Sequence, residues 1–230
     1  MVTLRAALIG SGRMGGEIQE VAEAHDVEIV HVLDAAGMMN GGEALLREVD
    51  VALEFTRPDA AVDNIRRCLD ARCPVVVGTS GWYDRISDVR TMTKEADGAV
   101  LWAENFSPGY ALMKGVVERL AALGASFDGY DIHLVETHHA AKRDAPSGTA
   151  VRLRAATERA AERSIEVTSI RTGHVPGEHE LVVDGPFDRV ALQHRVRDRR
   201  VFADGALRAA RWLVGRTGFF SIEDWVGIDA

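Results

Sequence analysis

One stretch carries most of the chemistry in this chain: Glu136-Thr137-His138-His139-Ala140-Ala141-Lys142-Arg143-Asp144-Ala145-Pro146-Ser147-Gly148-Thr149-Ala150. Histidine takes up or releases a proton near neutral pH. A lysine ammonium is a compact charge whose pKa shifts readily with its surroundings. His138, His139 and Lys142 therefore offer proton transfer and anion pairing within a few residues of one another. Only Lys94, Lys114 and Lys142 are lysines among 27 basic residues, so a lysine at 142 fits a need for a transferable proton. The stretch then turns into a predicted helix. Asp144 and Ser147 are good capping residues, and Pro146 suits the approach to a first turn. A helix starting near Ser147–Gly148 offers the backbone N–H groups of Gly148 and Thr149 to an anion, with the Thr149 hydroxyl as one more donor. Glycine at 148 lets a ligand come close to the backbone. No metal is expected here. Adjacent strand residues point opposite ways, and no nearby Cys or Glu offers convincing ligand spacing, although His174, His179 and His194 lie further along. Ser147 sits in no nucleophile-elbow context, which disfavours a Ser-His hydrolase. On the plainest reading, His138 and His139 are ordinary loop histidines.

A second motif opens the chain. The apolar run Leu4–Ile9 leads into Gly10-Ser11-Gly12-Arg13-Met14-Gly15 and then a helical pattern. In that context the first glycine allows a tight turn and the second lets backbone approach a pyrophosphate. The third lets helix and strand pack closely, while the helix N-terminus faces the negative charge. Asp34 ends the next strand-like run, where a carboxylate would accept hydrogen bonds from an adenosine ribose. Ala35-Ala36 follow it, with no arginine for a 2′-phosphate, which favours NADH; Arg13 is the cation that would serve NADPH. Two segments after later strands complete the candidate cleft: Gly78, Thr79 and Ser80, and then Ala103, Glu104, Asn105 and Phe106. Ligands of open α/β sheets bind beyond the carboxyl ends of strands.

The elements that must position these residues differ between the two halves. Strand-like runs at Leu4–Ile9, Val27–Leu33, Val49–Phe55, Val75–Val77 and Val100–Ala103 alternate with helical stretches at Gly15–Ala24, Ala60–Asp70 and Ile86–Ala96. That alternation predicts βαβ units and a parallel sheet with covered faces. Asn40–Gly42 reads as a turn. After a hinge-like Asn105–Tyr110, a helix is expected over Ala111–Leu123. Strands follow at Tyr130–Glu136, Ile165–Arg171, Glu180–Val183 and Val190–Val196, with one helix at Gly148–Arg163. The expectation is an α/β protein: a Rossmann-type dinucleotide-binding domain plus an α+β substrate and oligomerisation domain with an open mixed sheet. A last helix, Gly205–Gly215, would return to the first domain, giving residues 1–104 with 205–230 and residues 105–204.

With 230 residues, 47% of them hydrophobic, the chain can bury a core of ordinary size. A net charge of −8 argues against a nucleic-acid partner, yet allows a local basic pocket for an acidic substrate. Cys68 and Cys73 have no C-x-x-C spacing, no signal peptide is evident, and no apolar run nears the roughly 18 residues of a membrane span. A cytoplasmic protein without a membrane partner is expected.

The stretch from His138 to Ala150 resembles the signature of the 4-hydroxy-tetrahydrodipicolinate (dihydrodipicolinate) reductase family. The resemblance extends to Gly10–Gly15, to Phe55-Thr56 with Pro58, to Gly78–Gly81 and to Asn105-Phe106-Ser107. It continues through His194–Arg199 and Phe202-Ala203-Asp204-Gly205-Ala206-Leu207. It implies reduction of a small cyclic imine dicarboxylate with NADH or NADPH in the diaminopimelate and lysine pathway, usually by a homotetramer. It also implies His138 as proton donor or acceptor and Lys142 as proton donor, with substrate carboxylate bound by His139, Gly148 and Thr149. The chain departs from the pattern in a short segment between Asp34 and Val49, a compact glycine loop, and Ala140-Ala141 in place of larger polar residues. Two other readings stay open on the residues themselves: another Rossmann-fold imine or amino-acid dehydrogenase, and a non-catalytic NAD-binding relative.

Overall fold

The computed structural model describes residues 2–227, and the chain divides into two compact units, Met1–Ser107 with Arg200–Ala230 and Pro108–Arg199. The first unit is built on a parallel six-stranded sheet. Its strands are β1 (Leu4–Ile9), β2 (Val27–Leu33), β3 (Val51–Glu54), β4 (Val75–Val77), β5 (Ala99–Trp102) and β10 (Gly218–Phe220), in the order β10-β5-β4-β3-β1-β2. β3 and β4 are buried at every position. Such short, continuously apolar runs are what a sheet covered on both faces requires.

Helices supply that cover. α1 (Arg13–Val21) follows β1, and α2 (Ala35–Met39) and α3 (Gly42–Leu46) fill the connection from β2 to β3. α4 (Pro58–Asp70) starts with proline at its first position, where a missing N–H costs nothing. It buries Ala61, Asn64, Ile65 and Cys68, an i, i+3, i+4, i+7 stripe, with Val62 and Leu69 beside it. α5 (Ile86–Glu95) precedes β5. The sheet order reverses at β1, which lies between β2 and β3, and the loop of glycines leaves the sheet at that switch point.

In the second unit α6 (Pro108–Ala125) and α7 (Gly148–Ala161) pack on a four-stranded sheet of β6 (Asp131–His138), β7 (Glu166–Arg171), β8 (Glu178–Asp184) and β9 (Arg189–Arg195). The order is β7-β6-β8-β9, with β6 and β7 parallel and the other pairs antiparallel. β6 alternates strictly: Ile132, Leu134, Glu136 and His138 are buried, while His133, Val135 and Thr137 are half-buried. Ile132 and Leu134 join Val117, Ala121, Leu153 and Leu181 in the core. The same face turns polar at Glu136 and His138, at the carboxyl end of the strand.

The fold class is the expected one, and several elements differ. Gly15–Ala24 is not one helix: α1 ends at Val21, and a 3-10 turn at Glu23–His25 follows. Asn40 and Gly41 separate two one-turn helices. Pro108 and Gly109 open α6 instead of forming an irregular hinge. The last long helix, α8 (Arg200–Leu213), begins five residues before Gly205. Sequence reading misses β10 and the terminal helix α9 (Ile222–Val226), whose three and five residues fall below the length at which periodicity speaks.

Candidate active site

In the second unit, β6 delivers Glu136 and His138 to one face, and the register of the sheet brings partners from both sides. Arg171 of β7 lies opposite His138, and His179 of β8 lies opposite Glu136. Glu136 is fully buried, so its charge needs partners. One carboxylate oxygen, Oε1, accepts from Arg171 at 2.6 Å, and the other, Oε2, is bonded to His138 Nδ1. Burial alone would raise the Glu136 pKa, but hydrogen bonds from Arg171, Ser169 and His138 outweigh it and hold the carboxyl below its ordinary range. Arg171 also donates to the Asp144 carbonyl at 2.7 Å, tying the loop after β6 to the sheet.

His138 is nearly buried, and desolvation lowers its pKa despite the neighbouring carboxylate. Gly177 leaves the Nε2 edge of its ring clear, since a Cβ there would stand 3.1 Å from that nitrogen. The His179 ring meets His138 edge-on, with centroids 5.3 Å apart. Burial, with the nearby His138, pushes the His179 pKa down to about 3, so this imidazole is neutral at physiological pH. Its Nε2 lies 3.2 Å from Ser147 Oγ.

Ser147 is the N-cap of α7, and its hydroxyl oxygen accepts from the Ala150 N–H at 3.1 Å. Gly148, next in line, is exposed and has open space around it: a Cβ would meet nothing within 4 Å. Thr149, which follows it, and His139 are half-buried. Lys142 pairs through Nζ with Asp144 Oδ1 at 2.8 Å, and its backbone N–H donates to the His139 carbonyl at 3.0 Å. Asp144 thus serves Lys142, and Ser147 alone caps the helix.

The expectation that no nearby Glu has convincing ligand spacing is corrected by the fold. Glu136, His138 and His179 bring their ligand atoms within 4.8 Å of one another. Both Glu136 oxygens are already committed, one of them to a guanidinium whose charge opposes a cation. The cluster therefore reads as a hydrogen-bond network. Arg171 and His179 give no local sequence signal, because they reach His138 only through strand register.

In the first unit the loop has the geometry its glycines imply. Gly10 has φ +104°, and a Cβ there would fall 2.3 Å from the Phe55 carbonyl oxygen. A Cβ on Gly15 would fall 2.3 Å from the Gly10 oxygen, so α1 sits tightly on the turn. Gly12 caps α1 without a side chain, and nothing lies within 4 Å of where its Cβ would be. Ser11, Gly12 and Arg13 are exposed and Met14 half-buried. The result is an open cradle at a helix N-terminus, which fits a pyrophosphate.

Asp34 is exposed at the end of β2 and caps α2, its Oδ1 accepting from the Gly37 N–H at 2.7 Å. Thr79 turns its side chain inward: Oγ1 accepts from the Thr56 N–H at 2.7 Å, and its carbonyl accepts from the Trp82 indole at 2.8 Å. It braces the loop, while Gly78 and Ser80 on either side are more accessible. Gly78 packs on the Phe55 ring, where a Cβ would clash at 2.0 Å. Ala103 and Phe106 are buried, Glu104 and Asn105 half-buried, and Asn105 Oδ1 accepts from the Ser107 N–H at 2.9 Å. Beneath these loops the buried Glu54 is bonded to Thr56 and to Asn64, the latter at 3.2 Å.

Comparison with known proteins decides between the readings left open by the residues. Residues 4–106 match the family model described as dihydrodipicolinate reductase, N-terminus, and residues 109–226 match its C-terminus. The chain belongs to the dihydrodipicolinate reductase family. Among its relatives is the 4-hydroxy-tetrahydrodipicolinate reductase of Christiangramia forsetii, 34% identical over 96% of this chain and 97% of that protein. The reductase of the same name from Haloarcula marismortui is 36% identical over 96% and 98%. A solved dihydrodipicolinate reductase from Paenisporosarcina sp. TG-14, bound to dipicolinate, superposes with a TM-score of 0.83 over 96% of this chain and 98% of that one, at 22% identity. The last likeness speaks to the fold. Family membership makes the chain an oxidoreductase of lysine and diaminopimelate biosynthesis.

Proposed function

We propose that this chain reduces 4-hydroxy-tetrahydrodipicolinate to tetrahydrodipicolinate, binding NADH or NADPH on its first unit and the cyclic dicarboxylate on its second. One observation carries the substrate half of this reading: a proton-active histidine at the end of β6 and a lysine on the loop after it lead into an open helix N-terminus. The dicarboxylate pairs with His139 and Lys142 and accepts hydrogen bonds from the Gly148 and Thr149 N–H groups. Dipicolinate, named as the ligand of the Paenisporosarcina enzyme, has the same paired carboxylates.

The dinucleotide is held with its pyrophosphate on Gly10, Ser11, Gly12, Arg13 and Met14 and its adenosine ribose at Asp34. Gly78, Ser80 and the segment Ala103, Glu104, Asn105 and Phe106 line its nicotinamide half, with Thr79 bracing from below. A bound reduced nicotinamide supplies a hydride. The chain's own residues orient the imine, exclude water and manage the proton. With its pKa lowered by burial, His138 is neutral at working pH, which suits it to accept and relay a proton. The 4-hydroxyl leaves as water as His138 takes a proton from C3. Hydride then adds at C4 of the conjugated imine, and Lys142, an ammonium with three donors of which Asp144 takes one, delivers the proton that completes the reduction.

NADH is the preferred cofactor on this reading, because Asp34 with Ala35 and Ala36 offers a 2′-hydroxyl partner and no cation for a 2′-phosphate. The sheet face carrying His133, Val135 and Ile170, opposite the face that α6 and α7 cover, is where contacts between copies in a homotetramer would form. The deciding experiment couples the chain to freshly generated 4-hydroxy-tetrahydrodipicolinate and follows reduced-nicotinamide absorbance with NADH and NADPH separately. Substrate-dependent oxidation, faster with NADH, is expected. Silence with both, from a folded chain that binds NADH, would overturn the reaction; a faster rate with NADPH would overturn the cofactor preference alone.

A further inference from the structure

We propose that Glu136, clamped by Arg171, is the positioning residue that fixes the tautomer of His138, keeping a proton on Nδ1 and leaving Nε2 as the nitrogen that exchanges protons with substrate. The proposal rests on the reading of His138 as the proton-transfer group and adds what makes it competent. An ionised carboxylate only accepts hydrogen bonds, so the nitrogen facing Glu136 Oε2 must carry the proton. Which ring nitrogen is protonated in a neutral histidine is set by the partner of the other. Glu136 is fully buried, at 0% exposure, and its other oxygen receives the Arg171 guanidinium at 2.6 Å. The carboxylate is therefore held in one orientation and in its charged form.

The other groups around the ring leave this assignment to Glu136. His179 faces His138 edge-on from β8, and its Nε2 is engaged with Ser147 at the start of α7. Lys142 is paired with Asp144 in the loop, and Gly177 contributes no side chain. Arg171 from β7 carries only donors and is turned to Glu136 and to the Asp144 carbonyl. Among the described residues, Glu136 is thus the acceptor bonded to His138 Nδ1.

The clamp makes the effect of one isosteric change specific. In Glu136→Gln, Arg171 still demands an oxygen, so the side-chain carbonyl stays on the guanidinium and the amide NH2 turns to His138 Nδ1. A donor at Nδ1 forces the ring proton to Nε2, the wrong nitrogen for accepting a proton from substrate. The same logic governs the serine-protease triad, where an Asp→Asn change inverts the histidine tautomer and costs about 10⁴-fold in kcat. A loss of at least about 10²-fold is expected here, since Lys142 remains to supply a proton, with the KM for substrate within a few-fold of the parent.

The test is ¹⁵N NMR of imidazole nitrogens in the full chain, with the His138 signals assigned by their disappearance in His138→Gln, together with steady-state kinetics. Expected are a protonated Nδ1 and an unprotonated Nε2 in the parent, and the reverse in Glu136→Gln. A parent spectrum with the proton on Nε2 would overturn the proposal, and this arm stands even if the variant fails to fold. An inverted tautomer with kcat unchanged would overturn the claim that the tautomer makes His138 competent. Should the parent chain turn over no 4-hydroxy-tetrahydrodipicolinate, the proposed reaction fails, while the spectra still decide whether Glu136 sets the tautomer.

Discussion

Lys142 is the residue whose removal separates binding from chemistry most cleanly. Its ammonium is half-sheltered beside the exposed Asp144, so truncation leaves no buried charge unpaired and costs little stability. Lys142→Ala is expected to lose most of kcat while NADH still binds with near-parental affinity, read by fluorescence titration. Near-normal kcat would remove Lys142 from the proton path. His179 makes a different kind of prediction. Its folded pKa of about 3 lies below the ordinary 6.5, so between those values the unfolded chain holds a proton that the native chain refuses. Stability rises with pH wherever the unfolded state binds more protons, so this site destabilises the fold as pH falls from about 6.5 toward 3. The lowered pKa values of His138 and His194 act in the same direction. Denaturant midpoints should fall between pH 7 and pH 5 in the parent and fall less in His179→Gln; equal slopes would show that His179 is not held neutral by the fold. These two residues are unequally legible in the sequence. Lys142 stands beside His138 and His139 in one recognisable run, whereas His179 is a lone histidine until β8 pairs with β6.

Asp34 belongs to two elements at once, and its variants can tell the roles apart. It ends β2 and caps α2, where Gly37 donates to its side chain. Asp34→Ala removes the cap, at a cost of about 1 kcal/mol, together with the proposed ribose contact. Asp34→Asn keeps a good capping oxygen but loses the charge that accepts from two hydroxyls. If the carboxylate binds ribose, both variants should weaken NADH by an order of magnitude or more and leave the substrate KM little changed. Asp34→Asn should also keep the parental thermal midpoint. Parental NADH affinity in Asp34→Asn would leave Asp34 as a helix cap only. The spacing from Gly15 to Asp34 exposes the functional candidate, but the capping role is invisible in the sequence because α2 has only five residues, too few to show a period. Elsewhere, strands β1 and β4 can be read to the residue from their apolar runs, since burial on both faces leaves no ambiguity of register. β10 cannot, because Gly218-Phe219-Phe220 is strand only by virtue of pairing with β5.

At the scale of the whole chain, the first unit depends on a segment that arrives last. Residues 200–230 return after the second unit is complete, and α8 packs on β3, β4, β5 and α1. Its buried stripe, Ala203, Ala206, Leu207, Ala210 and Leu213, has the i, i+3, i+4, i+7 spacing of a core-facing helix. Leu207 and Leu213 are both fully buried, and emptying one such site typically costs roughly 2–5 kcal/mol. Losing the helix altogether therefore removes an amount comparable with the ~5–15 kcal/mol by which a whole domain is stable. The second unit has no such dependence, since its core, from Tyr110 to Leu192, lies within Pro108–Arg199. A chain stopped after Arg199 should thus lose NADH binding and hydrogen-exchange protection across β1, β3 and β4, while β6 and β8 stay protected. NADH binding at parental affinity by the truncated chain would mean that residues 4–106 hold their fold without α8. The pattern from Gly205 to Gly215 is enough to place a helix there, but not its start. Arg200, Val201 and Phe202 carry no cap signal; Arg200 is exposed and reaches Glu20 of α1 at 3.7 Å, a contact that belongs to the assembled unit and not to the local sequence.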